Sequence, residues 1–238
     1  DKGVASINDS EEVLTGGLDG LEERCAEYES LGAKFTKWRA VIKIGENMPS
    51  DNCIEANMQA LADYAKIVQQ SNMVPIVEPE VLMDGEHSAD ACFDATSRCL
   101  NSLFANLESK GVNIKGAILK PNMVLAGQGS SSQLTHEDVA ELTMKCLLEN
   151  VPEDLPGIAF LSGGQSDIDA TANLDALNKL GGNPWKLTFS YGRALQQAAL
   201  KSWLGQSENV VNAQEAFSHR AKMNRLAALG KWAEDLEG

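Results

Sequence analysis

Short apolar segments alternate with longer amphipathic stretches from about residue 35 to the end of the chain. A short, continuously apolar run between turn residues is typical of a β-strand that is buried on both faces. The pattern predicts five such strands. They cover residues 35–44, 74–77, 116–119, 157–161 and 187–189.

The stretches between these strands predict helices. Thr135 is followed by acidic residues, which is typical of a capped helix start, and Ser166 begins a similar pattern. Residues 1–17 hold no helix of useful length. The remaining predicted helices cover residues 49–70, 88–109, 194–203 and 209–229.

Strands that are apolar throughout and alternate with helices imply a parallel sheet covered by helices, either doubly wound or closed into a barrel. Glu78, Lys120, Ser162 and Ser190 each follow a different predicted strand. Sites assembled from the carboxyl ends of many strands are typical of the (β/α)₈ barrel, so we favour the barrel. Because five of its eight strands are predicted, we expect one barrel domain over residues 1–238 with upstream strands missing.

The charge balance narrows the range of partners. The chain has 20 Lys and Arg against 34 Asp and Glu, a net charge of −14, which argues against nucleic acid and anionic membranes. No apolar run is long enough for a membrane span and no signal-peptide pattern begins the sequence, so we expect a cytoplasmic location. The five cysteines include no close pair, so we expect free, mostly packed thiols.

Lys120 ends a short apolar strand and precedes Pro121. A lysine held against apolar walls is a candidate imine-forming nucleophile, because desolvation disfavours its ammonium form. The alternative is a surface lysine that closes a strand.

Two further pairs of charged residues have strand spacing. Lys37 and Arg39 would face one side of their strand, either toward a polar site or at an exposed edge. Glu78 and Glu80 flank Pro79, and neighbouring carboxylates favour protonation of one member, which makes a general acid possible. The alternative for Glu78 and Glu80 is a pair of solvated loop acids.

Two polar loops resemble anion sites. Ser162-Gly163-Gly164 and Ser190-Tyr191-Gly192-Arg193 each follow an apolar strand and precede a predicted helix, where backbone N–H groups can approach an anion. This is the place of the phosphate site that barrels often have after strands 7 and 8. Residues 127–129 lack the context of a dinucleotide fingerprint and are interpreted as a loop.

The sequence indicates no metal and no cofactor. His87, His136 and His219 lie far apart, and we expect all three to be solvated.

Five motifs together resemble the class I fructose-1,6-bisphosphate aldolases, the metal-independent, Schiff-base-forming enzymes of glycolysis. The resemblance runs from Asp1 to about Gly230 and implies a (β/α)₈ barrel. The motifs are Lys37-Trp38-Arg39 and residues 74–80, 119–124, 160–166 and 188–196.

The resemblance implies a role for each candidate residue. Lys120 would attack the substrate ketone, and Glu78 would move protons during carbinolamine formation and dehydration. Lys37 would lie near Lys120 and favour its neutral form by like-charge repulsion, Glu80 would pair with the neighbouring lysine, and Arg39 would help to hold the distal phosphate. The proximal phosphate would be bound by the two polar loops, through Ser162, Gly163, Ser190, Gly192 and Arg193.

The chain also departs from the family pattern. Lys115 stands where the signature usually has an acid, and no terminal tyrosine ends the chain. The family's lysine just before the position of Asp1 and an aspartate on its first strand are not included. We therefore expect the natural polypeptide to extend before Asp1.

The resemblance implies cleavage of fructose 1,6-bisphosphate, and a homotetramer as the assembly. Two alternatives remain. One is a lysine-dependent barrel lyase for another sugar phosphate; the other is an incomplete, catalytically impaired barrel with an interaction or structural role.

Overall fold

The computed structural model describes residues 2–238. Strands and helices alternate along most of this range. The strands are β1 (Val4–Ser6), β2 (Val13–Thr15), β3 (Phe35–Ile42), β4 (Val74–Val81), β5 (Ile118–Leu119), β6 (Gly157–Phe160) and β7 (Lys186–Phe189). The α-helices are α1 (Leu21–Ser30), α2 (Asp51–Gln70), α3 (Ala89–Ser109), α4 (His136–Asn150), α5 (Asp167–Leu180), α6 (Arg193–Trp203) and α7 (Val210–Ala227).

Strands β3 to β7 form one parallel sheet in sequential order. A helix follows each strand, so the arrangement is that of a partial (β/α)₈ barrel, as predicted. All five strands run in the same direction, and their carboxyl ends therefore meet at one edge of the sheet. Lys120, Ser162 and Ser190 follow their strands at this edge, whereas Lys37 and Arg39 lie within β3.

Strand β4 is longer than predicted and runs to Val81, so Glu78 and Glu80 lie within the strand instead of in a loop after it. Pro79 does not interrupt the strand, because its nitrogen, which cannot donate a hydrogen bond, points away from β3. Val74 and Leu82 donate to β3 carbonyls, so the even-numbered residues face β3 and Pro79 faces the other neighbour. Strand β5 pairs with β4 at Ile76 and Val77, before Pro79 is reached.

Hydroxyl side chains begin the helices as the sequence indicates. Ser50, Ser88, Thr135 and Ser166 each accept a hydrogen bond from a backbone N–H in the first turn of a helix, and Thr135 forms a capping box with Asp138. These four caps place the starts of α2 to α5 within one or two residues of the predicted positions.

The amino-terminal elements were not predicted. Strands β1 and β2 form an antiparallel hairpin of three residues each, too short for a clear alternation. The carboxylate of buried Glu12 accepts hydrogen bonds from the backbone N–H of Ser50 at 2.7 Å and from its hydroxyl at 2.6 Å. The hairpin is thereby tied to the start of α2. Helix α1 has Gly20 before it and no side-chain cap, so it lacks the usual start signal.

The core lies between the sheet and the helices that cover it. Leu61 of α2, Leu100 and Leu103 of α3, Leu119 of β5 and Phe160 of β6 are fully buried. The cysteines are free and buried, as expected. Within residues 2–238 no helix is long and apolar enough to cross a membrane.

Candidate active site

Lys120 directly follows β5 and is 8% exposed. Its backbone N–H donates to the carbonyl of Val77 on β4 at 2.8 Å, which continues the strand pairing by one residue. The strand itself is shorter than predicted, because Ile114–Gly116 form a 3₁₀ turn. The ammonium of Lys120 lies 2.9 Å from Oε1 of Glu78. The surface-lysine alternative is therefore wrong.

The carboxylate of Glu78 joins two lysines. Oε1 lies against Lys120, and Oε2 accepts from Nζ of Lys37 on β3 at 2.7 Å. Glu78 is 3% exposed, whereas the Lys37 side chain is 41% exposed. A buried carboxylate requires compensating charge, and the two lysines supply it from neighbouring strands.

Arg39 and Glu80 form a second ion pair on the same face, between Nε of Arg39 and Oε2 of Glu80. Burial alone would lower the pKa of Arg39, but the Glu80 hydrogen bond and charge raise it overall, with further contributions from Glu78 and Asp84. The resemblance implies that Glu80 pairs with a lysine. The structure differs, because Glu78 takes Lys37 and Glu80 takes the arginine two residues further along β3.

The alternation along β3 explains how both cations reach these partners. Trp38 and Ala40 are buried on the helix side, and Lys37 and Arg39 therefore point to the opposite face. Parallel pairing sets Arg39 beside Glu78 in register, so each long cation reaches the next carboxylate along β4. Each cation has an acidic partner on β4, but β3 is an edge strand of the sheet and the two side chains are 41% and 46% exposed, so this face is partly solvated.

Asn122 anchors the segment that carries Lys120, and sequence reasoning did not identify it. Its Oδ1 accepts the backbone N–H of Val81 at 3.0 Å. Its Nδ2 donates to the Thr96 hydroxyl and to the carbonyl of Met123, both at 3.0 Å. Asn122 is 5% exposed. A polar residue inside the otherwise apolar run after Lys-Pro was the available signal.

The turn Ser162-Gly163-Gly164 follows β6, next to the Lys120 segment. The Leu161 N–H donates to the carbonyl of Pro121 at 3.1 Å, which joins the two segments. Both glycines have positive φ, 57° and 95°, a conformation that favours glycine. Within residues 2–238 the N–H groups of Gly163 and Gly164 and the buried Ser162 hydroxyl donate to no protein acceptor. Successive free N–H groups in such a turn form an anion-binding concavity.

Ser190, Gly192 and Arg193 belong to the loop between β7 and α6. The Ser190 N–H donates to the Phe160 carbonyl at 2.9 Å, and Arg193 begins α6. The Arg193 guanidinium has no acidic partner in the described part of the chain. Its Nη2 lies 3.8 Å from the point that a Cβ on Gly164 would occupy. The two predicted loops therefore converge, with a free cation beside free backbone donors.

Within residues 2–238 no histidine hydrogen-bonds to Lys120, Glu78 or Arg193, although His136 and Gly164 line the same cavity. Neither of the buried ring nitrogens of His87 has a hydrogen-bond partner in the part of the chain that the structure describes, so the expectation that His87 is solvated was wrong. Burial lowers the pKa of His87. His136 is exposed, and its Nδ1 lies 2.7 Å from Asn173 Oδ1. No group of three or more His, Cys, Asp or Glu side chains within the described residues could hold a metal ion.

Comparison with known proteins gives a consistent result. The family model described as "Fructose-bisphosphate aldolase class-I" matches residues 1–238. A "Probable fructose-bisphosphate aldolase class 1" of Xanthomonas campestris is 54% identical over 222 residues, which is 93% of this chain and 66% of that protein. "Fructose-bisphosphate aldolase 4, cytosolic" of Arabidopsis thaliana is 48% identical over 239 residues, 100% of this chain and 61% of that protein.

A solved structure is also similar. It is fructose-bisphosphate aldolase from Plasmodium falciparum, solved in complex with TRAP and a small-molecule inhibitor. Its TM-score is 0.95 at 48% identity, over 98% of this chain and 68% of the solved chain. The chain described here spans about two thirds of the length of the curated relatives it matches, or slightly less.

Proposed function

This chain belongs to the class-I fructose-bisphosphate aldolase family, and from that premise we propose that it carries the catalytic lysine of an aldolase acting through a Schiff base. The reaction is the reversible cleavage of fructose 1,6-bisphosphate to dihydroxyacetone phosphate and glyceraldehyde 3-phosphate. The contact of 2.9 Å between the Lys120 ammonium and the Glu78 carboxylate supports this proposal most strongly.

The first step needs a neutral amine. Glu78 Oε1 takes a proton from Lys120, and the amine then attacks the C2 carbonyl carbon of the substrate. The new C–N bond forms as the carbonyl π electrons move to oxygen. The amine nitrogen loses its second proton and the oxygen gains one, which gives a neutral carbinolamine. Lys37 remains on Oε2 of Glu78 and holds the carboxylate in place.

Dehydration follows through the same carboxyl group. Protonated Glu78 donates to the carbinolamine hydroxyl, the C–O bond breaks and water leaves, while the nitrogen lone pair forms the C=N bond. When the C3–C4 bond breaks, its electron pair moves into the iminium and leaves an enamine. The C4 hydroxyl gives its proton to a base and becomes the aldehyde C=O; the family assigns the role of this base to the aspartate on its first strand. One carboxyl group therefore serves as base and acid in turn, which suits a group held within reach of the nucleophile.

The phosphates of the substrate require cationic or N–H partners, because the chain carries a net charge of −14. We assign the proximal phosphate to Ser162, Gly163, Ser190, Gly192 and Arg193. The Arg193 guanidinium lies beside Gly164, and within residues 2–238 the Gly163 N–H donates to no protein acceptor.

We assign the distal phosphate to Arg39. Glu80 accepts from its Nε, and its two Nη groups donate to no acceptor within residues 2–238. The guanidinium thus keeps one edge for an anion. By the same family membership we propose a role in glycolysis and gluconeogenesis, a cytoplasmic location and a homotetrameric assembly.

Borohydride trapping tests the proposal. The protein is incubated with dihydroxyacetone phosphate and borohydride, digested with trypsin and analysed by mass spectrometry. Because Lys120 precedes proline, trypsin leaves residues 116–145 in one peptide, which carries both Lys120 and Lys145. Fragmentation should place the reduced adduct on Lys120.

Two controls make the result specific. Lys120→Met should abolish the adduct, and Lys145→Met should leave it unchanged, because Lys145 lies on α4 over the ring of Phe93. An unlabelled Lys120 in folded protein, or an adduct that persists in Lys120→Met, would exclude the assignment.

A further inference from the structure

The loop after Lys120 is joined to the loop after β4 by three backbone hydrogen bonds. Gly127 donates to the His87 carbonyl, Gln128 to that of Met83 and Gly129 to that of Gly85, each at 2.8 Å. Their packing is tight, because a Cβ on Gly127 would lie 2.4 Å from the Gly85 oxygen. The backbone of Gln128 is therefore fixed by contacts on both sides.

The side chain of Gln128 reaches a third loop. Its Nε2 donates to the carbonyl of Gly164 at 3.0 Å. The N–H of the same peptide unit, on Gln165, donates to the Ser162 carbonyl at 2.9 Å. The peptide unit between Gly164 and Gln165 is thus held through both its N–H and its carbonyl. The N–H bonds within the turn, whereas the carbonyl is held by the side-chain amide of Gln128.

Core packing does not explain this contact. Gln128 is exposed, and ordering a long exposed side chain costs conformational entropy. Gln128 and Arg193 lie against the same glycine: Nε2 of Gln128 is 2.9 Å, and Nη2 of Arg193 is 3.8 Å, from the point that a Cβ on Gly164 would occupy. The glutamine thereby supports the turn whose free N–H groups adjoin the free guanidinium.

We propose that Gln128 is a positioning residue that holds the turn Ser162-Gly163-Gly164 in its anion-binding conformation. The proposal rests on the proposed function, because it assigns the proximal phosphate to this turn. Gln128 acts through the carbonyl of Gly164 and does not touch the phosphate. It controls the affinity for the phosphorylated substrate and leaves the chemistry at Lys120 unchanged.

The test compares Gln128→Met, which keeps the length and removes the donor, with Gln59→Met as the matched control. Gln59 is an exposed glutamine on α2, so the same substitution is made outside the loops that hold the turn. The measurements are KM and kcat for fructose 1,6-bisphosphate and the inhibition constant of inorganic phosphate, made on the natural protein that carries this chain.

For Gln128→Met we expect KM and the phosphate inhibition constant to rise together by about 3- to 10-fold, the effect of one lost neutral hydrogen bond. The kcat should stay within about twofold, because a uniform loss of binding affects KM alone. Gln59→Met should match the wild type in all three quantities. Gln128→Ala should repeat the Gln128→Met result.

Unchanged KM and phosphate inhibition in Gln128→Met, or a fall in kcat at constant KM, would overturn the role of Gln128. Trapping at Lys120 in the wild type separates this failure from failure of the proposed function. If the wild type is trapped and Gln128→Met behaves like it, the inference about Gln128 alone is wrong. If the wild type is not trapped, the aldolase proposal and the role of Gln128 fall together.

Discussion

Lys120 and Glu78 lie on neighbouring parallel strands, and the ammonium of one contacts the carboxylate of the other at 2.9 Å. The same carboxylate holds Lys37 at 2.7 Å. Strand register produces this three-residue bridge, since Lys37 and Glu78 lie within the neighbouring strands β3 and β4 and Lys120 directly follows β5. The two groups that we propose as nucleophile and proton acceptor are therefore placed by the sheet and not by a mobile loop.

Glu78→Gln should slow imine formation while the site keeps its shape. Glutamine has the same size but cannot accept the proton of Lys120, and general acid–base catalysis contributes about 10²- to 10⁴-fold. We expect a loss of that order in the rate of borohydride trapping, measured in a single turnover. Glu55→Gln, at an exposed contact with Ser102, is the control and should leave the trapping rate unchanged. Full activity in Glu78→Gln would show that another group moves the proton.

Arg39→Met should affect a bisphosphate more than a monophosphate. Arg39 is assigned to the distal phosphate, which fructose 1-phosphate lacks. We expect KM for fructose 1,6-bisphosphate to rise about 10-fold or more, since a charge-assisted contact is lost, and KM for fructose 1-phosphate to change by less than about twofold. Equal changes in KM for both substrates would indicate that Arg39 pairs with Glu80 and does not bind the distal phosphate.

Asn122→Ala should destabilise the fold. The buried amide satisfies the Val81 N–H and donates to Thr96 and Met123. Its removal leaves a buried donor without a partner and opens a small cavity, at a cost of about 2 to 4 kcal/mol in the free energy of unfolding. Urea denaturation measures this loss, with Asn209→Ala, at an exposed hydrogen bond, as control. A change below about 0.5 kcal/mol would contradict the anchoring role.

His87→Leu should reduce the pH dependence of stability on the acid side. Burial lowers the pKa of His87 below its ordinary value of 6.5 in the folded state. The unfolded chain therefore takes up this proton first, so the contribution of His87 is fully present above pH 6.5 and is lost as the pH falls through the folded pKa. Urea midpoints at pH 7.5 and pH 5 should differ less in His87→Leu than in the wild type. An identical difference would contradict the burial of the ring nitrogens.

The thiols should resist modification in the folded protein. Burial raises the pKa of Cys53 and Cys146 to about 11 and of Cys99 to about 12, and it also raises those of Cys25 and Cys92. The thiolate is the reactive form, so an aromatic disulfide reagent at pH 8 should label no cysteine rapidly in the native state and all five after unfolding. Rapid labelling of any one in native protein would mean that its helix opens locally.

Much of the fold follows from local pattern. Apolar runs and hydroxyl caps place β3 to β7 and α2 to α5, because each signal lies within a few residues of the element it specifies. The end of β4 was misjudged because Pro79 suggests a break. Whether the strand tolerates this proline depends on which neighbouring strand the proline nitrogen faces. Pairing with residues about forty positions away sets that orientation.

The candidate site likewise has one part that the sequence predicts and another that depends on strand pairing. Lys120, Glu78 and the glycine loops are visible as polar residues that follow apolar runs. By contrast, the pairing of Glu80 with Arg39 and of Glu78 with Lys37 depends on strand register. Asn122 and Gln128 act through carbonyl and N–H groups of other segments, so no spacing along the chain indicates them.

The turn at Gly163 and Gly164 offers N–H groups of the main chain. These donors survive every replacement of a side chain except by proline, whose φ of about −65° does not fit the positive φ of this turn. Conventional mutagenesis therefore cannot delete them one at a time; it can only distort the turn. A mutational scan that changes only side chains would underestimate the contribution of these N–H groups to the proposed phosphate binding. It would attribute that contribution to Arg193. Substitution of a single amide by an ester, through protein semisynthesis, removes one N–H while the residue sequence stays the same, and would weigh each donor separately.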